Sequence, residues 1–301
     1  MRAAALALMA LAAGFGASAS AQEPPGPPKV LVVTREEIKP GKMAPHTKVA
    51  ASYIAVAARA NAANYRLGLT PISGDDNAVL YLEAHPSFAA LETARNAFDG
   101  AIASNAALKA ELDAVDRQGD MHSAQRTAIY RYRADLSYRP GRMEDVARAR
   151  YMTMQTTRIK PGRGVDYIDY VKGQVAAREK ANLDLHTAVY QVVSGAAPNT
   201  FVIFSTARSL SEWDDTFARA EADQKALEAA FGGAEAARQQ RMILSEVVAD
   251  TTIATYAMSP EISRPMPQFM AYDPGFWGSA KAADTKALAS KKETRKEQPK
   301  Q

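Results

Sequence analysis

Two stretches of the chain share one pattern of apolar and polar positions, 121 residues apart. Residues 31–41 read Leu-Val-Val-Thr-Arg-Glu-Glu-Ile-Lys-Pro-Gly, and residues 152–162 read Met-Thr-Met-Gln-Thr-Thr-Arg-Ile-Lys-Pro-Gly. Each is a strand-like run that ends at Pro-Gly, and each is followed by apolar residues at helical spacing. A period of this length is too long for a solenoid repeat. It suits two copies of a small domain, so we interpret the chain as a tandem duplication.

The same patterning predicts the elements of each copy. In the first copy we expect strands at 30–38, 65–72, 78–84 and 127–136, with helices at 43–61 and 86–116. In the second copy we expect strands at 151–159, 186–193, 200–206 and 251–258, with helices at 164–181 and from 211 onwards. Both follow the order βαββαβ, which is the ferredoxin-like arrangement of the α+β class.

The N-terminal residues have the pattern of an export signal. Arg2 precedes an apolar run, and Ala19-Ser20-Ala21 is a small-x-small cleavage site. We therefore expect residues 1–21 to be a signal peptide and the protein to be periplasmic or secreted, the alternative being an uncleaved anchor. A Pro-rich linker at 22–28 follows, and no later segment is apolar enough to span a membrane.

Charge is concentrated at the other end of the chain. Residues 279–301 hold seven basic and three acidic side chains, and the rest, with Arg2 set aside, holds 29 basic and 30 acidic. We expect a Lys-rich disordered tail that could contact an anionic surface. The balanced body argues against nucleic-acid binding. The absence of cysteine excludes disulfides and thiolate metal sites.

A ferredoxin-like sheet has helices on one face only, so its other face needs a partner. The two strand–Pro-Gly–helix openings, at 35–43 and 157–165, resemble those of the dimeric α/β-barrel superfamily, in particular its antibiotic-biosynthesis-monooxygenase-like and NIPSNAP-like members. The resemblance implies that domain 1 (29–140) and domain 2 (150–258) pack their antiparallel sheets into one intramolecular α/β barrel. We expect the aromatic stretch within 259–278 to dock on this body as an extended arm.

A barrel interior is the natural place for a ligand, and the alternation of side chains along each strand predicts which of them face it. We place Leu31, Val33, Met152 and Met154 on the helix side. The polar and aromatic positions that we expect to line the cavity are Glu36, Thr34, Tyr81, Glu83, Tyr130, Tyr132, Tyr151, Gln155, His186 and Tyr256. The alternatives are a solid hydrogen-bonded core and a Glu36 at a wet barrel mouth.

The four histidines, His46, His85, His122 and His186, show no metal-ligand spacing, so the sequence predicts no metal site. No catalytic motif is present either. The resemblance implies that haem is one alternative, with His186 as its candidate ligand, although no cofactor is the first expectation.

These observations favour an exported barrel that binds a small hydrophobic or aromatic ligand. The alternative implied by the resemblance is a cofactor-independent monooxygenase or a haem-handling oxidoreductase. A third possibility is a structural module that pairs with other proteins through its tail. Because the two halves differ in sequence outside the shared turn, we expect any site to be asymmetric.

Overall fold

The computed structural model describes residues 26–61, 64–117 and 120–278. Its eight strands are β1 (Val30–Ile38), β2 (Arg66–Ser73), β3 (Ala78–His85), β4 (His122–Tyr132), β5 (Tyr151–Ile159), β6 (Ala188–Ser194), β7 (Thr200–Ala207) and β8 (Val248–Arg264). Its helices are α1 (Met43–Arg59), α2 (Phe88–Ser104), α3 (Ala106–Asp116), α4 (Met143–Arg148), α5 (Gly164–Lys180), α6 (Ser211–Phe231), α7 (Ala234–Val247), α8 (Pro267–Met270) and α9 (Pro274–Trp277), with a 3-10 turn at Ala134–Leu136.

The strands close into one antiparallel barrel in the order β1-β3-β2-β8-β5-β7-β6-β4. Each half contributes four consecutive strands, and the pairings β2–β8 and β4–β6 join the halves. Helices α1 and α5 have 17 residues each and begin 121 positions apart. The predicted fold class, two ferredoxin-like units closed into an intramolecular α/β barrel, is therefore confirmed.

The repeated Ile-Lys-Pro-Gly is a turn between a strand and a helix. Gly41 and Gly162 have φ angles of 73° and 79°, which favour glycine because they lie in the left-handed region. Gly195, in the β6–β7 hairpin, has a φ of 83°, and a Cβ there would lie 2.1 Å from the Thr127 carbonyl oxygen of β4. This glycine therefore allows the second half to close against the first.

The faces of β1 and β5 are opposite to those that we predicted. Leu31, Val33 and Met152 belong to the core inside the barrel, whereas Val32 packs outside with Leu91 of α2. The prediction was wrong because residues 30–33 are buried on both faces, so their pattern has no alternation to reveal the direction of each side chain.

The C-terminal segment is helical, where we expected an extended arm. Strand β8 continues past Met258 to Arg264, and α8 and α9 follow. Phe269 and Trp277 are buried in the barrel core cluster, and the Trp277 Nε1–H donates to the Ala147 carbonyl oxygen at 2.7 Å. The segment thus covers one end of the barrel.

The predicted signal peptide and the predicted Lys-rich tail both lie outside the described residues. Among the residues that are described, none of the helices combines the length and apolar character needed to cross a bilayer.

Candidate functional site

A cavity of about 570 Å³ lies at one end of the barrel, within the size range of small-molecule sites. Its wall includes interior side chains of both halves: Leu31, Leu67, Leu82, Met152, Ala188, Tyr190 and Phe204. Side chains of α4 and α8 and the segment before β1 surround the mouth: Lys29, Met143, Val146, Met266 and Phe269. The cavity is therefore a space that the two halves form together.

The wall of the cavity is apolar and aromatic. The rings of Tyr190 and Phe204 lie edge to face with centroids 5.9 Å apart, and Tyr132 lies 5.4 Å from Tyr190. Burial raises the pKa of Tyr190, so its phenol is neutral at physiological pH. Such a wall suits an apolar or aromatic molecule.

Polar residues also line the cavity, among them Arg66, Ser205 and Thr206. Lys29 and His186 are among the lining residues, and none of the lining residues is a carboxylate. His85 also lines the cavity, and its Nε2 is buried with no hydrogen-bond partner in the described part of the chain. The nearest carboxylate to this Nε2, that of Glu83, is 3.9 Å away. By strand alternation His85 shares its face of β3 with Tyr81 and Glu83, so this nitrogen lies on the helix side of the sheet.

The predicted site residues fall into two groups. Tyr130, Tyr132 and Tyr256 belong to or pack against the interior core, and His186 lies at the cavity mouth. Of the ten, His186 alone is among the cavity-lining residues. The other six take the outer, helix-facing side by strand alternation: Thr34, Glu36, Tyr81, Glu83, Tyr151 and Gln155. Their predicted direction is wrong, and ligand binding by any of the ten stays a prediction.

His186, the candidate haem ligand, lies beside Arg139 and Asp184. Its Nδ1 lies 2.7 Å from the Arg139 carbonyl oxygen, and its Nε2 lies 3.3 Å from Asp184 Oδ1. The His186 side chain is 57% exposed and that of Asp184 is 70% exposed, so water reaches both groups. Haem ligation by His186 and the oxygenase alternative without a cofactor both stay predictions.

The outer face of the first half brings together three side chains that the sequence keeps apart. Glu36 of β1 accepts hydrogen bonds at Oε2 from His46 Nε2 of α1, at 2.7 Å, and from His122 Nε2 of β4, at 3.2 Å. Its Oε1 accepts from Gln125 Nε2 at 3.0 Å. The His46 side chain is 3% exposed, that of Glu36 12% and that of His122 37%.

The two histidines also govern the charge of Glu36. Burial acts to raise the pKa of Glu36, but the hydrogen bond from His46 and the proximity of His122 outweigh it and hold that pKa below its usual value. Glu36 is therefore a carboxylate at neutral pH.

Sequence spacing could not have revealed this cluster. A register shift between Glu37 and Ile38 places His122 opposite Ile38, so that His122 joins Gln125 on one face although three positions separate them. The only signal in the sequence was Glu36 itself, a carboxylate within a strand.

Neither a protein-family model nor a curated protein sequence matches the chain. Among solved structures, an anthrone oxidase-like protein is similar over 76% of this chain and 91% of its own, with 14% identity and a TM-score of 0.47. A mutant chlorite dismutase from Candidatus Nitrospira defluvii is similar over 78% of this chain and 92% of its own, with 7% identity and a TM-score of 0.44. We draw nothing about activity from either likeness; the closed barrel of the chain itself defines the class of fold.

Proposed function

We propose that this protein is an exported carrier or receptor of a small apolar or aromatic molecule, which it binds in the barrel cavity. The observation that carries the proposal is the apolar cavity of about 570 Å³ at the barrel end. The signal-like residues 1–21 support the export of the chain.

An open space inside a barrel is unfavourable for stability, because side chains around a void lose packing contacts. Longer side chains at Ala188 or Ala84, which line the space, could fill part of it. The first half has a longer residue at the equivalent position: Leu67 lies near the start of β2, as Ala188 lies at the start of β6. The interior therefore tolerates a longer side chain there. The small residues are therefore consistent with a cavity kept open for an occupant.

The polar groups restrict the class of ligand. Because Lys29 lies at the mouth and no carboxylate lines the cavity, an anionic or neutral polar end is favoured over a cationic one. An apolar body would occupy the interior beside Tyr190 and Phe204. We therefore propose a molecule with an aromatic or aliphatic body and one acidic or hydrogen-bonding end.

The probe that tests this proposal is anilinonaphthalene sulfonate, which has an aromatic body and one anionic group. Full-length protein should bind it with saturable fluorescence enhancement. Ala84→Phe should weaken binding about tenfold or more, the equivalent of about 1.4 kcal/mol, because the new ring occupies the cavity.

The matched control is Ala220→Phe, which adds the same ring at an exposed position of α6. It should leave binding unchanged. Equal binding by wild type and Ala84→Phe, with both variants shown to be folded by their circular dichroism, would place the probe elsewhere and remove the proposal.

A further inference from the structure

We propose that Glu36, His46 and His122 form a binding site for one divalent transition-metal ion of the zinc type. This site is separate from the cavity, because it lies on the outer face of β1 and β4 beneath α1, and it does not depend on the proposed function.

The positions of the three donor atoms suit a metal ion. Glu36 Oε2 lies 2.7 Å from His46 Nε2 and 3.2 Å from His122 Nε2, and all three donor atoms are within 4.8 Å of one another. Ligands that each bind zinc at about 2.1 Å lie about 3.0 to 3.4 Å apart, depending on the coordination angle. Small side-chain movements would therefore admit an ion between them. The two imidazole rings meet at 87°, which lets both Nε2 atoms converge without the rings stacking.

The chemistry of the donor set selects the class of metal. Two imidazoles and one carboxylate favour zinc, cobalt, nickel or ferrous iron over calcium and magnesium, which take oxygen ligands. Gln125 holds the Oε1 of Glu36 and so leaves Oε2 directed at the histidines. With three protein ligands one coordination position stays open, and the partly exposed His122 marks the side from which water or a small anion would enter.

The second half of the chain shows what the fold needs at this position. Strand register and helix numbering make the equivalents unambiguous, because β5 pairs with β8 as β1 pairs with β4, and His46 is the fourth residue of α1 as Tyr167 is of α5. The equivalents of Glu36, His46, His122 and Gln125 are Thr157, Tyr167, Val248 and Thr251.

None of these equivalents offers a histidine or a carboxylate. Tyr167 is 2% exposed, and burial raises its pKa while the nearby Thr157 hydroxyl acts to lower it, so neutral side chains fill the space beneath α5. The barrel therefore forms around this position without ionisable ligands. The carboxylate and two histidines of the first half are a departure that folding does not require.

Two polar atoms near the cluster lack partners. The His46 Nδ1 and the hydroxyl of Tyr81 are buried and make no hydrogen bond within the described residues, and the two rings lie 6.5 Å apart. A network that serves only structure is expected to satisfy its buried polar groups. The unsatisfied atoms are instead consistent with a site that takes a further occupant, such as an ion with its water.

The test is titration of EDTA-treated, tag-free full-length protein with Zn²⁺ by calorimetry, and with Co²⁺ by visible absorption. We expect one ion per chain and the absorption of Co²⁺ bound by nitrogen and oxygen. Glu36→Gln and His46→Gln should each weaken Zn²⁺ binding about 100-fold or more, and Gln125→Leu, beyond the ligands, about 10-fold to 100-fold.

The matched control is His186→Gln, which removes a histidine from the cavity mouth and should leave Zn²⁺ binding unchanged. If His46→Gln does not fold, His122→Val decides the question, because this ring is partly exposed and Val248 occupies the equivalent position. Absence of stoichiometric Zn²⁺ binding, Zn²⁺ affinity that is unchanged in His122→Val, or loss of Zn²⁺ binding in His186→Gln would each overturn the proposal.

Discussion

We expect the metal-free protein to stay close to wild type in stability when Glu36 and His46 are replaced together by their second-half equivalents, as Glu36→Thr with His46→Tyr. Replacing Glu36 alone should destabilise it. The reason is that Glu36→Thr on its own leaves the His46 ring, 3% exposed, without the acceptor that now lies 2.7 Å away. The double change introduces the residues found beneath α5, where the Thr157 hydroxyl acts on the buried Tyr167. His122 and Gln125 also lose Glu36 as acceptor, but water reaches both side chains.

The magnitudes follow from burial. A buried donor that loses its acceptor costs about 1–3 kcal/mol, so Glu36→Thr should lower the free energy of unfolding by about that amount. The double variant regains most of this loss and also removes the unpartnered Nδ1 of His46. The larger tyrosine ring acts in the opposite direction, because overpacking costs about 1–3 kcal/mol. We therefore expect the double variant to lie within about 1 kcal/mol of wild type, because its gains and its overpacking are of similar size.

The assay is equilibrium unfolding in urea with EDTA, repeated with Zn²⁺ in excess. Wild type should be stabilised by Zn²⁺, because an ion that binds only the folded state raises its stability by mass action. The double variant should show no such response. A double variant that loses more than about 3 kcal/mol in EDTA would show that the fold needs the ionisable set, and would refute the argument from duplication.

Three further predictions concern the closure of the barrel and its C-terminal segment. Trp277→Phe should lower the free energy of unfolding by about 1–3 kcal/mol, because the Ala147 carbonyl, 2.7 Å from the Trp277 Nε1, loses its donor. Unchanged urea denaturation would show that the C-terminal segment does not dock. Gly195→Ala should destabilise the barrel by more than about 1 kcal/mol, because its φ is 83° and the Thr127 oxygen would lie 2.1 Å from the new Cβ; an unchanged Tm would contradict this close approach. The hydrogen bond from Arg150 lowers the pKa of Asp273 in the folded protein. The pair therefore stabilises docking of the C-terminal segment fully at a pH above the unfolded-state pKa of about 3.9, and this effect is lost as the pH falls through the lower folded-state pKa. Tryptophan emission should therefore shift to the red on acidification below about pH 4, and Asp273→Asn should show the shift at pH 7; an acid shift that is the same in both proteins would refute the assignment.

The architecture could be predicted because its signals are local and repeated. The Pro-Gly turn after each first strand, and the element order that follows it, are encoded by neighbouring residues such as Gly41 and Gly162, whose φ angles the turn requires. Closure into a barrel followed from the need of two half-covered sheets to bury their free faces.

The direction of the side chains could not be predicted in the same way. In β1 both faces are buried, so four consecutive apolar residues carry no periodic signal. The polar residues Thr34 and Glu36 then suggested a polar interior, whereas the interior is apolar and these side chains face the helices. A slip of one residue reverses every assignment on a strand.

The metal-ligand candidates could not be found by spacing because they come from three elements. His46 is 10 residues from Glu36 and His122 is 86 residues from it, and a strand irregularity sets the direction of His122. Convergence of this kind depends on tertiary structure. The sequence did indicate, through the unlike residues of its two halves, that a site would belong to one half.

The antiparallel closure also has a consequence for how a molecule would sit in the cavity. Strands β1 and β5 are four places apart in a wholly antiparallel ring, so they run in the same direction, and the axis that relates the halves runs along the barrel and through the cavity at its end. In a symmetric pair of identical chains, a molecule on such an axis would have two equal orientations. Here Leu67 faces the space on one side and Ala188 on the other, so an elongated molecule would meet two different walls and bind in one direction.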